Sequence, residues 1–267
     1  MDAINHESSR SLSVFGEYPT TLDARNIVIR ERFYETGDEN DIEELYFCIY
    51  KDRVLKKEKG FWSRQFEQKN KIIALAFDND LLASHYAIVE TRNSGVFLSL
   101  DTMTHPDYRK RGLFFDLATM VYEKAKKSNI DVVYGFPNKN SFHALSKRLN
   151  WIFPDDFLFE LEIEKRNDNL KNSETVSVSN IKTKNFKEYV HILCYDSFID
   201  QEKVEQIFAC NKTATKCSLW TNNKLYVEHL MTLGFKIKKK IDFGFISFTN
   251  NLDILKMDIQ MCWSDVY

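Results

Sequence analysis

The chain has 267 residues, 43% of them apolar and 28% charged, enough to bury one large core or two smaller ones in an ordinary globular protein. A formal net charge of −2 argues against a general nucleic-acid binder, which shows a basic excess. Five cysteines, Cys48, Cys194, Cys210, Cys217 and Cys262, form no CxxC pair; such scattered thiols fit a reducing compartment, and no ligand cluster has zinc spacing. No apolar run is long enough for a membrane span, and the first residues lack the apolar core of a secretory signal, so a cytoplasmic protein with no membrane partner is expected.

Residues 1–25 are polar and aperiodic and read as a flexible arm. Asn26–Tyr34 alternates as a strand, and Ile42, Leu45, Phe47 and Ile49 follow in a helical context with Asp41 near its start. Trp62 and Phe66 sit in a charged stretch, as core residues or as aromatics on an acceptor side. Lys71–Phe77 and Leu81–Thr91 form a hairpin across Asp78-Asn79-Asp80, and a second turn at Arg92–Gly95 leads into a strand from Val96. Leu113, Leu117, Met120, Val121 and Ala125 mark one face of the next helix. A buried-type strand at Ile130–Phe136, a short helix at Asn140–Leu149 and a strand at Asp156–Lys165 complete the order β, α, three antiparallel strands, α, β, α, β. The asparagine-rich stretch 167–173 reads as a linker between domains at 26–166 and 174–267. The second contains an echo of the first: Asp131–Trp151 and Lys216–Phe235 both read strand, Asn-bearing turn, helix, Leu-x-aromatic.

The chemistry concentrates between Leu98 and Leu113, where a strand runs through a short turn into the start of a helix. A helix N-terminus has backbone N–H groups without partners and the positive end of the helix dipole, which together suit a phosphate or pyrophosphate. Gly112 removes a side chain where the backbone must approach the anion, and Arg109, Lys110 and Arg111 add positive charge. The second half has no equivalent of 109–112, so it is expected to lack the cradle.

These residues resemble the GNAT superfamily of acetyl-CoA-dependent N-acetyltransferases, whose signature is Arg or Gln, two residues, Gly, one residue, then Gly or Ala, between the fourth strand and the third helix. Arg109-Lys-Arg-Gly112-Leu-Phe114 matches the first two fixed positions and departs at the third. His105-Pro106-x-Tyr108-Arg109 and the run to Trp151 match as well. Together with Gly135–Ser141 and the ending Trp263–Tyr267, the chain is similar to a bacterial branch with a degenerate second half, often found with surface-polysaccharide synthesis.

The resemblance implies an α/β GNAT acyl-CoA N-acyltransferase fold: a mixed, mostly antiparallel sheet flanked by helices, with a second, smaller GNAT-like half. It implies acetyl-CoA as co-substrate, no metal, a small amine acceptor such as an amino sugar, and a monomer or homodimer. Met103 and Thr104 would hold the pantetheine arm, Arg109, Lys110, Arg111, Gly112, Leu113 and Phe114 the pyrophosphate, and Asn138 and Ser141 the far side of the coenzyme. Asp101, late in the strand, is the candidate base, or else a bulge cap or an arginine's partner; His85 is the alternative base, since of His85 and Tyr86 one faces the cleft and the other packs. The tyrosine that many members use as the thiolate's acid falls at Ser146 here, with His143 and Tyr134 nearby. The rival readings are a non-catalytic CoA-binding or scaffold protein, and a tandem aminoacyl transferase using charged tRNA, which would need a basic groove.

Overall fold

The computed structural model describes residues 21–22, 28–50, 70–165, 181–195, 198–250 and 252–260. Strands β1 (Thr21–Leu22), β2 (Val28–Phe33), β3 (Lys71–Asp78), β4 (Leu81–Glu90), β5 (Val96–Thr104) and β6 (Val132–Gly135) lie side by side in that order. All neighbours are antiparallel except β5 and β6. β3 and β4 are buried along nearly their whole length, because helices cover both faces. Helix α1 (Glu39–Tyr50) lays Ile42 and Leu45 over Ile73, Leu75 and Phe77. Helix α2 (Leu113–Lys127) packs Leu117, Val121 and Ala125 on the other face, where Ala74, Ala76 and Ala83 of the sheet let it approach closely. Helix α3 (Lys139–Arg148) follows β6 on that same face, through Leu145 and Leu149.

From β2 onward the order of elements is the one read from the sequence; Thr21–Leu22, within the segment read as a flexible arm, instead pair with β2 as β1, and two later strands take partners the domain division did not foresee. β7 (Phe159–Glu164), read as the end of the first domain, is hydrogen-bonded in a second sheet of order β11-β7-β10-β9-β8. That sheet contains β8 (Ile181–Phe186), β9 (Tyr189–Tyr195), β10 (Lys216–Thr221) and β11 (Lys236–Lys240). β12 (Gly244–Ser247) returns to pair antiparallel with β6 and closes the edge of the first sheet. The reason lies in the residues of β7: Phe159, Leu161 and Ile163 face the second core while Glu160 and Glu162 alternate to the opposite face. The free edge beside the wholly buried β6 instead takes the apolar β12. A cut between 166 and 174 therefore leaves each sheet holding a strand from the other side of the cut.

The echo is present as read. Helix α5 (Lys224–Thr232) follows β10 as α3 follows β6, and Trp151 and Phe235 are both buried. Each helix starts at an asparagine carboxamide: Asn138 accepts from Ser141 N at 3.2 Å and Asn223 from Tyr226 N at 3.1 Å. Helix α4 (Gln201–Cys210) covers the second sheet. Between the sheets lies an aromatic cluster in which Tyr134 of the first meets Phe243, and Phe136 meets Trp220 of the second. Burying one such side chain is worth roughly 2 kcal/mol, so three or four rival the net stability of a domain.

A chain ending at residue 168 would expose this cluster and leave both the edge of β6 and the whole of β7 unpaired. It is expected to aggregate, as size-exclusion chromatography will show; a soluble, cooperatively melting monomer would contradict this packing.

Candidate functional site

β5 and β6 are paired only where Val96, Phe97 and Leu98 meet Val132, Val133 and Tyr134. Beyond Leu98 the strands part, and a cleft of about 840 Å³ opens between them. Its walls include β5 from Ser99, the turn and start of α2, and one side of α3. On the other neighbour of β5 the register slips: His85 faces Met103 but Ala87 faces Leu100, so Asp101 and Thr102 together oppose Tyr86. Asp101 has φ +45°, the left-handed conformation that makes room for a bulge.

His85 fixes that bulge from behind. It is wholly buried, and its Nδ1 lies 2.9 Å from the carbonyl oxygen of Asp101. A carbonyl only accepts, so Nδ1 carries the proton. Burial pushes the imidazole pKa down to about 4, opposed by this hydrogen bond, so the ring is neutral at pH 7. His85 does not line the cleft, whereas Tyr86 does. This departs from the role of alternative base read from the sequence: a polar residue on a strand looked available, but its face is covered by α1.

The candidate base Asp101 and the ten candidate coenzyme-binding residues, Met103, Thr104, Arg109 to Phe114, Asn138 and Ser141, all line this one cleft. The turn into α2 has Lys110 at φ +64° and Gly112 at φ +91°. Gly112 is the cap of α2 and no side chain bonds to the helix start; Phe115 N and Asp116 N both reach the Gly112 carbonyl, at 2.8 and 3.1 Å. The amides of Leu113 and Phe114 thus stand at an open helix N-terminus.

The arginines of the turn also shape it. Arg111 lies over the Tyr108 ring, 4.8 Å from its centre, and donates to the Asp107 carbonyl at 2.9 Å. Arg109 Nε reaches the Thr104 carbonyl at 3.4 Å, and the Tyr108 hydroxyl is anchored to the Asp78 carboxylate at 2.5 Å. Sequence reasoning missed Arg148, a further cation on the cleft wall that lies 4.2 Å above the ring of Phe115. Its only signal is a basic last turn in α3.

The two departures from the signature resolve differently. Phe114 turns its ring edge-on to Tyr86 at 5.7 Å and becomes part of the cleft wall. Ser146 donates to the His143 carbonyl at 3.3 Å and stays outside the lining. Of its neighbours, Tyr134 is spent in the aromatic cluster and His143 lies on the exposed rim. Trp62 and Phe66 lie outside the described residues.

The second sheet repeats the parallel pair, β9 with β10, but not the opening. At the corresponding helix start the Asp200 carboxylate accepts from Lys203 N at 2.9 Å, so α4 carries its own anion. Where pairing ends, the Gln260 carboxamide bonds both to the amide (3.1 Å) and to the carbonyl (2.9 Å) of Tyr195. Asn222 holds the same segment through Ile259 N and the Met257 carbonyl. Among the described residues no helix is long and apolar enough to cross a membrane.

With this geometry the chain compares with solved structures as follows. No family model matches the chain, and no curated protein matches it. A putative acetyltransferase from Pyrococcus horikoshii superposes with a TM-score of 0.53 at 10% identity, over 82% of this chain and 89% of its own. A tandem GNAT protein from the clavulanic acid biosynthesis pathway gives 0.52 at 8% identity, over 84% of this chain and 99% of its own. A Bacillus subtilis acetyltransferase in complex with CoA is 21% identical over 48% of this chain and 82% of its own, with a TM-score of 0.36. The fold is thus that of the GNAT acetyltransferases in its two-halved form.

The buried imidazole makes stability depend on pH. In the unfolded chain His85 takes a proton near pH 6.5, but in the folded chain only near 4. Its contribution is therefore complete above pH 6.5 and is lost as pH falls from 6.5 to 4, amounting to about 3 kcal/mol. Urea unfolding of the wild type and of His85→Gln across this window should show that slope in the wild type and a shallower one in the variant. Parallel curves would contradict a neutral, buried His85.

Proposed function

We propose that the chain transfers an acetyl group from acetyl-CoA to the primary amine of a small acceptor. The observation that carries this reading is the coincidence, in one cleft, of parted parallel strands, a bulge and an uncapped helix N-terminus. The residues fit the coenzyme: open amides and the dipole of α2 suit a pyrophosphate, and the parted edge of β5 suits an extended amide-bearing arm. Bound there, acetyl-CoA would supply the activated acyl group as a thioester.

The chain's own part is positioning and electrostatics. Leu113 and Phe114 amides, with Arg109, Lys110 and Arg148 around them, hold the negative end at the mouth of the cleft. Backbone groups of Met103 and Thr104 hold the arm, and N–H groups on the inner side of the bulge, toward Ser99, stabilise charge growing on the thioester oxygen. Asp101 is the acidic residue among those lining the cleft, and it sits on the bulge itself. A free alkyl amine is mostly protonated near pH 7, so Asp101 takes the proton that the attacking amine must lose, directly or through water. The branch the chain resembles makes an amino sugar the first acceptor to test.

A second reading, a coenzyme-binding protein without turnover, is favoured by Phe114 in the cleft wall and by Ser146 outside it. Release of free thiol in the presence of mixed amines separates the two.

Calorimetry with acetyl-CoA is expected to give one site per chain, since α4 is capped in cis. Gly112→Val should cost at least tenfold in affinity, because φ +91° strains any side chain, a β-branched one most, and the turn that presents the open amides of α2 would have to shift to relieve it. Wild-type affinity in a folded Gly112→Val protein would misplace the cradle. Asp101→Asn keeps a residue that tolerates the left-handed bulge but removes the base, so turnover should fall about a hundredfold while coenzyme affinity holds. Full activity across pH in that variant would put the base elsewhere.

A further inference from the structure

At the closed end of the cleft, where β5 leaves β6, a chain of hydrogen bonds runs out of the core. Trp151 Nε1 lies 2.7 Å from the Tyr122 hydroxyl, the Tyr122 and Tyr86 hydroxyls are 2.6 Å apart, and Ser99 Oγ lies 3.1 Å from the Tyr86 oxygen. An indole N–H only donates, so the Tyr122 oxygen accepts from Trp151. Either phenol can donate to the other; we assign the shared proton to Tyr122, which lies behind the wall with no opening to the cleft, so the Tyr86 oxygen accepts from both Tyr122 and Ser99 and its two lone pairs are filled. What remains to Tyr86 is its one O–H. Of the chain's members, Tyr86, Ser99 and Trp151 line the cleft, and Tyr122 lies behind them.

The position of this donor matters. The anion cradle lies at the mouth, next to Gly112, and β5 runs inward from Thr104 through the bulge at Asp101 to Ser99, at most about 16 Å of strand. A coenzyme held by its pyrophosphate and laid along that strand brings its sulfur to the inner end, beside the hydroxyl of Tyr86. Resting on the function proposed above, we infer that the Tyr86 O–H is the hydrogen-bond donor to the sulfur of the coenzyme as it leaves as thiolate. Tyr86 thereby fills a role that the helix α3 position, Ser146, leaves vacant.

The chemistry is donation without transfer. Burial raises the phenol of Tyr86 to about 12, against the hydrogen bonds from Ser99 and Tyr122, while an ordinary thiol ionises near 8.5. The proton therefore stays on oxygen, and the thiolate gains a short charge-assisted hydrogen bond. Each upstream donor polarises the next, so Trp151 and Tyr122 strengthen what Tyr86 offers. In the overall step the amine nitrogen bonds to the acyl carbon, the carbon–sulfur bond breaks with its electron pair on sulfur, and the amine proton goes to the base. The thiolate is protonated by solvent after it leaves.

The test reads the thiol itself. Coenzyme A bound to the full-length chain is titrated by its thiolate absorbance, in the wild type, in Tyr86→Phe and in Tyr122→Phe. Tyr86→Phe keeps the ring that packs on Phe114 and removes only the hydroxyl. A donor to sulfur lowers the pKa of the bound thiol, so Tyr86→Phe should raise it by about one unit, and Tyr122→Phe, which leaves Tyr86 in place, by a smaller amount. Turnover in Tyr86→Phe should fall about tenfold with affinity for the coenzyme little changed. If the three proteins bind coenzyme A and titrate alike, Tyr86 has no such role and the reading of the cleft survives. If the wild type binds no coenzyme A, the reading of the cleft fails and this inference with it. Should Tyr86→Phe fail to fold, an unshifted thiol pKa in Tyr122→Phe is the overturning result.

Discussion

Two parallel strands that stop pairing after three residues leave backbone groups that must find other partners, and the rest of the molecule is organised around that gap. Unpaired strand edges are costly when buried and adhesive when exposed. Here the gap lies inside a sheet, walled by α2 and α3, and it stays open as a cleft. The bulge at Asp101 adds a local kink at the same point, and a kink of that kind needs to be held. His85 holds it with one hydrogen bond to the carbonyl of the strained residue. A neutral imidazole is well matched to that position, because it donates through Nδ1 without bringing a charge into a face covered by α1.

The exchange of β7 and β12 makes the two sheets depend on one another. The edge strand of the first sheet comes from the last third of the chain, and β7 is enclosed on both sides by β10 and β11. The aromatic cluster of Tyr134, Phe136, Trp220 and Phe243 then lies directly behind β6, the strand that forms one lip of the cleft. Packing in the second half is thus part of what keeps β6 at its distance from β5.

Most of this was legible where the information is local. The continuous apolar runs of β3 and β4, the spacing of Leu113, Leu117 and Val121, and the turn through Gly112 each announce themselves within a few residues, and their order in the chain is a strong constraint on the fold. Strand partners were not legible, because the alternation in β7 says that one face is polar without saying which sheet it joins. His85 shows the same limit on a smaller scale: sequence gives the residue type and the strand, while burial depends on α1, some forty residues away. Tyr122 and Trp151 are core residues in the folded chain, and nothing in their sequence positions shows that their polar atoms join a chain leading to Tyr86.

The two helix starts show how little separates an open helix N-terminus from a closed one. Both halves place a strand, a helix and a second strand in the same relation, so both begin with the same dipole and the same open amides. In the first half Gly112 contributes no side chain, and its left-handed backbone admits none without strain, so the positive end faces the cleft. In the second, the Asp200 carboxylate bonds to the third amide and satisfies the dipole from within the chain. Gln260 does the same for the strand edge, taking up the amide and carbonyl of Tyr195 that an extended ligand would otherwise use. The second half therefore meets with its own side chains the same backbone demands that the first half leaves open at the cleft.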